Sequence, residues 1–244
     1  MTSMSLTATQ EPDSPQAAAD RTQAIRDHLR DAIVDRRLAP GTKLTEVEVG
    51  SLFNVSRTMA RSALQMLSFE GLVRIERNRG AFVANPDPEE ARQVFAARRL
   101  VEPGIASEAC ARATPRDLAR LRAHLTDERR HMDLRGPNAR RAEIKASGEF
   151  HLLLAAAAGN QIMHRFMEEL IARSSLVIAL YGRSGASSCG HDEHDGIVAS
   201  LERRDAAAAQ ALVLRHIDHI EADLDLRQGA TTSLKAALSD LSPS

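Results

Sequence analysis

Apolar residues between positions 21 and 85 fall at helical spacing three times and then at strand spacing twice. Ile25, Leu29 and Ile33 recur every four positions and give a first helix one apolar stripe. "LAPGTKL" (38–44) turns the chain, and Thr45 with Glu48 forms a capping box at the start of a second helix. Val49, Leu52 and Phe53 supply that helix's apolar residues. A tight turn at Asn54-Val55 leads to Ser56, which caps a third helix that Gly71 ends. On the third helix, Ala60, Ala63, Leu64 and Leu67 cluster within about a third of the circumference, so that face is core. "LVRIER" and "GAFVA" then read as two short strands around an Asn78-Arg79-Gly80 turn.

The pattern changes at "ANPDPEEA" (84–91), where Asp87-Pro88-Glu89-Glu90 offers a cap, a first-turn proline and acids for the positive end of a helix. Everything beyond reads as helix. Pro103 is expected to end or kink the helix begun at Pro88. Thr114-Pro115-Arg116-Asp117 opens the next, with Leu118, Leu121 and Leu125 inward. After a break at "RGPN" (135–138), the periodicity predicts helices at about 139–158, 161–182, 192–203 and 205–227. Residues 1–20 are rich in Ser, Thr, Pro and Ala, lack apolar periodicity and are expected to be disordered, and the stretch after Gly229 has the same character. The expected organisation is a tail (1–20), a winged-helix domain (21–85), an all-helical domain (86–228) and a loose C-terminal tail (229–244). The fold class is mainly α: an N-terminal winged helix-turn-helix followed by an all-α helical bundle.

Charge sharpens this division. The chain of 244 residues balances 32 basic against 33 acidic side chains, which suggests no polyanionic partner for the whole. Residues 21–85, however, carry eleven Lys/Arg against seven Asp/Glu, so the basic excess is confined to the segment expected to be a winged helix. Arg57, Thr58, Arg61 and Gln65 form an arc on the third helix facing away from its apolar side. These residue types read base edges, although an arginine pair four apart is by itself also an ordinary solvated face. In a helix-turn-helix the second helix enters the major groove by its N-terminal end, here Ser56, Arg57 and Thr58, where free backbone N–H groups also favour a phosphate. Arg77, Arg79 and Gly80 would then stand on the wing tip. The expected partner is double-stranded DNA, because the absence of Trp and 3% aromatic content argue against a single-strand stacking platform. Two cysteines without framework spacing, no signal peptide and no apolar run longer than Leu152 to Ala158 lead to the expectation of a cytoplasmic protein without membrane association.

Three histidines stand on apolar helix faces: His151 with Ile144, Leu154, Ala155 and Ala158; His194 with Ile197, Val198 and Leu201; His216 with Val213, Ile217 and Ile220. One such histidine reads as a hydrogen-bonded core imidazole. Three on different helices also fit a three-histidine site for a divalent metal such as zinc, nickel or copper. A metal-dependent hydrolase is then the alternative function, but Glu149, Asp192 and Glu193 form no recognisable general-base motif and the winged helix is left without a purpose. Cys189 and His191 are taken as part of a Gly/Ser loop without a role.

The segment Leu29 to Val83 resembles the winged-helix domain of the GntR family of bacterial transcription regulators. The resemblance rests on Leu38-Ala39-Pro40-Gly41, Val55-Ser56-Arg57-Thr58, Arg61 with Ala63-Leu64, Glu70-Gly71-Leu72-Val73 and Asn78-Arg79-Gly80-Ala81, in order and at family spacing. It implies that Arg57, Thr58 and Arg61 contact the operator and that Gly80 approaches the minor groove. Met59-Ala60 and Ser62 depart from the family's common Pro-Val and Glu. "EFHLLLAAAAGN" (149–160), "HDEHDGIVASL" (191–201) and "RRDAAAAQALVLRHIDHI" (203–220) are similar to the FCD effector domain of the FadR-type branch. That resemblance implies metal ligands at His151, His194 and His216, preceded one turn before the first by an aspartate, a position held here by Ser147. Serine is uncharged and a weak ligand, so zinc or nickel is expected to bind less tightly. Arg98, four before Glu102, stands where such domains turn an arginine to the effector; a surface salt bridge with Glu102 is its other reading. The implied function is a ligand-responsive regulator, more often a repressor, that binds operator DNA as a homodimer and senses a small carboxylate beside Arg98 and Ser147.

Overall fold

Three short helices and a small sheet form the N-terminal unit of the computed structural model, which describes residues 15–35, 37–132, 137–183 and 189–227. The elements are α1 (Pro15–Val34), β1 (Lys43–Leu44), α2 (Glu46–Phe53), α3 (Arg57–Phe69), β2 (Val73–Glu76) and β3 (Gly80–Val83). Ile25, Leu29 and Ile33 of α1 are all buried, as their spacing requires. α1 begins earlier than expected, so residues 15–20, assigned to the tail from composition, are helical. Pro15 fits a first helical position and Ala17 to Ala19 have the highest helix propensity, which outweighs the lack of an apolar stripe. Residues 1–14, 36, 133–136, 184–188 and 228–244 lie outside the described residues, and with them most of the expected N-terminal tail, the expected C-terminal tail and half of the expected break at 135–138.

The capping box at Thr45 and Glu48 closes in both directions. Leu52, expected to be apolar filling, is 76% exposed instead. α2 has only eight residues and meets α3 through a narrow face, on which Val49 is buried while Leu52 lies beyond its edge. The turn into α3 is tight: Asn54 takes the left-handed conformation at φ 50°, and Val55 donates its N–H to the Gly50 carbonyl at 2.9 Å. A Cβ on Gly50 would stand 3.1 Å from the Val55 carbonyl oxygen, so glycine permits this close approach. The sheet has the order β1-β3-β2, antiparallel throughout, with Ile75 opposite Ala81 and Glu76 opposite Gly80 at the wing. β1, absent from the sequence reading, pairs Lys43 with Phe82 and Leu44 with Ala81. Two residues are too few to show alternation.

The C-terminal unit comprises α4 (Pro88–Arg112), α5 (Pro115–Met132), α6 (Pro137–Ala157), α7 (Gln161–Tyr181), α8 (Cys189–Glu202) and α9 (Ala206–Ala222). α8 starts at Cys189, inside the stretch taken as loop. α4 does not end at Pro103 but passes through it. An internal proline costs roughly 3 kcal/mol. Phe95, Ile105, Ala106 and Ala109, buried on both sides of it and packed in the helical core, offset that cost.

α7 belongs to both units. Its Met167, Ile171, Val177 and Tyr181 enter the helical-domain core, whereas Ala172 and Leu176 complete the core of the winged helix. The Tyr181 hydroxyl donates to the Pro86 carbonyl at 2.9 Å, and Arg173 reaches Glu90 at 3.4 Å, fastening the same helix to the connecting segment. Among the described residues, no helix is long and apolar enough to cross a membrane.

Candidate DNA-reading face and metal centre

Ser56 starts α3 from an extended conformation, its hydroxyl accepting the Met59 N–H at 3.3 Å. Ala60, Ala63, Leu64 and Leu67 are buried beneath the helix, which turns Arg57, Thr58, Arg61 and Gln65 outward, and all four are exposed. Gly80 takes φ 103° after Asn78 at φ 63°, a backbone that an L side chain rarely adopts, and so the wing tip stays slim. Arg77, Arg79 and Gly80 are exposed there. The face thus brings together every residue expected on it, but not every charge is unengaged. Arg61 forks onto the Glu46 carboxylate at 2.6 and 2.8 Å, and Arg79 pairs with Glu76 while lying 5.4 Å over the Phe82 ring. Arg57 makes no ion pair among the described residues. The Arg61 pair depresses the Glu46 carboxyl pKa through a direct hydrogen bond.

Glu46 would therefore compete with DNA for Arg61. An exposed pair is worth about 0–1 kcal/mol, so Glu46→Gln is expected to raise affinity for a random duplex by no more than several-fold. Fluorescence anisotropy at two salt concentrations measures this, and weaker random-duplex binding would instead make Glu46 an orienting partner of Arg61.

The three histidines converge. His216 Nε2 lies 3.2 Å from His151 Nε2 and 3.0 Å from His194 Nε2, and all three side chains are essentially buried. Their other ring nitrogens each face a carboxylate: His151 Nδ1 stands 2.7 Å from Glu102, His194 Nδ1 3.0 Å from Glu128, and His216 Nδ1 2.8 Å from Glu193. An ionised carboxylate only accepts, so each Nδ1 carries the proton and each Nε2 presents a lone pair. Burial opposes ionisation of Glu102 and Glu193, but Arg98 with His151 holds the Glu102 carboxyl well below the ordinary range, and His216 with His219 lowers that of Glu193. Burial also lowers the pKa of His151 and of His216 to about 4, which keeps both neutral at physiological pH. Phe150 stacks on the His194 ring at 3.9 Å and limits its rotation.

Three Nε2 atoms thus converge. Nitrogens about an ion bonded at roughly 2.0–2.1 Å are separated by roughly 3.0–3.4 Å, and the observed 3.0 and 3.2 Å match. The donor set, neutral imidazoles oriented by carboxylates, fits a divalent metal of the zinc or nickel type. Ser147, one turn before His151, is half-buried and lines the adjoining cavity of about 70 Å³ together with Arg98, His151, His216 and Ser174.

Arg98 does pair with Glu102, but not on the surface: both side chains are 1% exposed. Arg98 Nη1 also donates to the Ser174 hydroxyl at 3.3 Å, while Nη2 is buried with no hydrogen-bond partner. Arg98 lines the adjoining small cavity, and a guanidinium at such a wall is suited to an anion.

Sequence reading passed over Glu128 and used Glu102 and Glu193 only as a salt-bridge partner and a poor general base. A signal existed for two of them. Glu128 follows Leu121 and Leu125 on one inward helical face, and Glu102 lies with Arg98 on the stripe of Phe95 and Ile105. Glu193 neighbours His194 in sequence yet holds His216, a pairing that only the packing of α8 on α9 creates.

Comparison with known proteins agrees with this architecture. Residues 21–83 match the model of the "Bacterial regulatory proteins, gntR family", and residues 93–219 match the FCD domain. The chain is 27% identical over 225 residues to the Uxu operon transcriptional regulator of Escherichia coli K12, covering 82% of this chain and 84% of that protein. It is 28% identical over 211 residues to the HTH-type transcriptional regulator LutR of Bacillus subtilis, covering 78% and 94% respectively. A crystal structure of a GntR-type regulator from Rhodococcus sp. RHA1 superposes with a TM-score of 0.68 at 27% identity, covering 83% of this chain and 96% of that one. These relatives are regulators rather than enzymes, and nothing in them supports the hydrolase alternative. The outward α3 of a winged helix, followed by a helical domain of this pattern over half the chain, places the protein in the GntR family of DNA-binding transcription regulators, in the group that carries an FCD domain.

Proposed function

We propose that the protein is a repressor that holds a divalent metal on His151, His194 and His216 and releases its operator when a small carboxylate enters beside Arg98 and Ser147. The observation that carries this reading is the meeting of three histidine Nε2 atoms in the buried helical core, beside a small cavity that His151, His216, Arg98 and Ser147 line. A bound metal would supply a Lewis-acidic positive charge at the cavity wall. Arg98 would grip the carboxylate, and Ser147, being neutral, would leave room and a coordination position for it. DNA is met by Ser56, Arg57, Thr58, Arg61, Gln65, Arg79 and Gly80, in the cytoplasm.

Signal transfer follows from α7. Ile171, Ser174, Ser175 and Ile178 line the effector cavity, while Ala172 and Leu176 on the same helix pack into the winged-helix core. A carboxylate that shifts Ser174 relative to Arg98 biases the seating of α7, and with it the angle at which α3 is presented. The effector acts by favouring one of two arrangements, in proportion to its preference between them.

The test uses purified protein on a duplex taken from the DNA upstream of its own gene. Binding is expected to be tight relative to a random duplex and to be released by at least one short carboxylate only after zinc loading. Release by no carboxylate, or equal release without metal, would overturn the reading.

A homodimer is expected on a two-fold symmetric operator, because a single winged helix reads few base pairs and duplication multiplies both affinity and specificity. Light scattering at micromolar concentration is expected to give twice the chain mass of 26.6 kDa. A monomer that binds its operator one to one would refute it.

A further inference from the structure

Glu102 occupies an unusual position between two functional groups. One carboxylate oxygen receives the Arg98 Nε–H, and the other lies 2.7 Å from His151 Nδ1. All three side chains are buried, so nothing from solvent mediates between them. Neither Glu102 Oε2 nor His151 Nδ1 attains a well-aligned hydrogen bond despite their closeness, whereas the contact to Arg98 is short and direct. The carboxylate thus stands between the two groups, bonded to Arg98 through one oxygen and close to His151 through the other. Glu193, by contrast, forms hydrogen bonds with His216 and His219 and, among the described residues, makes no hydrogen bond or ion pair with Arg98.

We propose that Glu102 is a positioning residue that couples the anion anchor to the metal position: an anion taken by Arg98 frees the Glu102 carboxylate to accept fully from His151 Nδ1. The physical chain is short. An anion entering the cavity that Arg98 lines draws the guanidinium charge and geometry toward it. Glu102 then feels less of that charge, and its hydrogen bond from His151 Nδ1–H strengthens. A stronger acceptor at Nδ1 makes the Nε2 lone pair a better donor to a cation. Metal and anion therefore tighten each other by the same factor, as linkage requires, even where the anion does not itself touch the metal. This inference rests on the metal-and-carboxylate reading above and adds the residue through which the two sites communicate.

The experiment measures zinc affinity of the full chain by competition with a chromophoric chelator, without and with saturating acetate, which chelates zinc too weakly to compete. Wild type is expected to bind zinc at least about 5-fold more tightly when acetate is present. Glu102→Gln keeps one acceptor oxygen but loses the charge, and is expected to bind zinc roughly 10-fold more weakly with the acetate effect reduced to near unity. Glu193→Gln should weaken zinc similarly while keeping the wild-type acetate effect, which a merely structural role for Glu102 would not distinguish. An undiminished acetate effect in Glu102→Gln, or none in wild type that binds zinc, overturns the coupling and leaves the metal site standing. Failure of wild type to bind zinc, or unchanged binding in His194→Ala, overturns the underlying reading as well. Should Glu102→Gln not fold, Arg98→Met replaces it: relieving Glu102 of its partner is expected to tighten zinc in the absence of acetate, and unchanged or weaker binding refutes the proposal.

Discussion

Replacing Arg57 or Arg61 by alanine is expected to cost operator affinity roughly 1–3 kcal/mol per half-site, and so about 2–6 kcal/mol for a dimer. The effect should be this large because both guanidinium groups sit at the leading end of α3, with Ala60, Ala63, Leu64 and Leu67 holding the opposite face rigidly in the core. Neither arginine contributes to that core, so the circular dichroism spectrum and melting temperature should be unchanged within error. The two substitutions should also differ. Arg57 makes no ion pair among the described residues, and its loss removes a whole contact. Arg61 must leave Glu46 to reach DNA, and its net loss should be smaller by up to about 1 kcal/mol. Measured against operator and random duplex in parallel, a base contact lowers the ratio between them, whereas a phosphate contact weakens both alike. Unchanged operator affinity and salt slope in either variant would mean that the recognition helix is elsewhere.

The second large effect concerns the histidine cluster. His194→Ala is expected to abolish stoichiometric zinc or nickel binding, because it removes the nitrogen 3.0 Å from His216 Nε2 and leaves two ligands. Ser147→Asp should act in the opposite direction. Ser147 lines the cavity one helical turn before His151, so a carboxylate there adds a charged oxygen donor on the same face. Calorimetric titration of the metal-stripped protein is expected to show a higher zinc affinity for Ser147→Asp than for wild type. The same added charge should repel an anionic effector and occupy the position it would use, so the carboxylate response should weaken in that variant. Equal zinc affinity in wild type, His194→Ala and Ser147→Asp would reduce the three histidines to core packing.

The chain's own sequence determined the local structure wherever a short window holds the whole physical cause. Ile25, Leu29 and Ile33 repeat at the helical period, Thr45 and Glu48 satisfy each other's backbone donors, and Gly80 supplies a conformation that other residues resist. Such signals made the winged helix, its outward arc and the three inward histidines legible before any packing was known. Pairings between distant segments were not legible. Two residues of β1 gain their meaning from Phe82 and Ala81, and Leu52 is exposed because α2 turns only a narrow face to α3. Pro103 stays inside α4 because buried neighbours on both sides keep the helix continuous through a local defect. The cavity shows the division most clearly. Arg98 and Glu102 look like an ordinary surface pair when only i, i+4 spacing is considered. Packing of α4 against α6, α7 and α9 buries them, sets Glu102 against His151 and leaves Arg98 one nitrogen short of a partner. Side-chain periodicity states which face of a helix turns inward, but a site depends on which faces meet, and that is decided by the simultaneous burial of several helices.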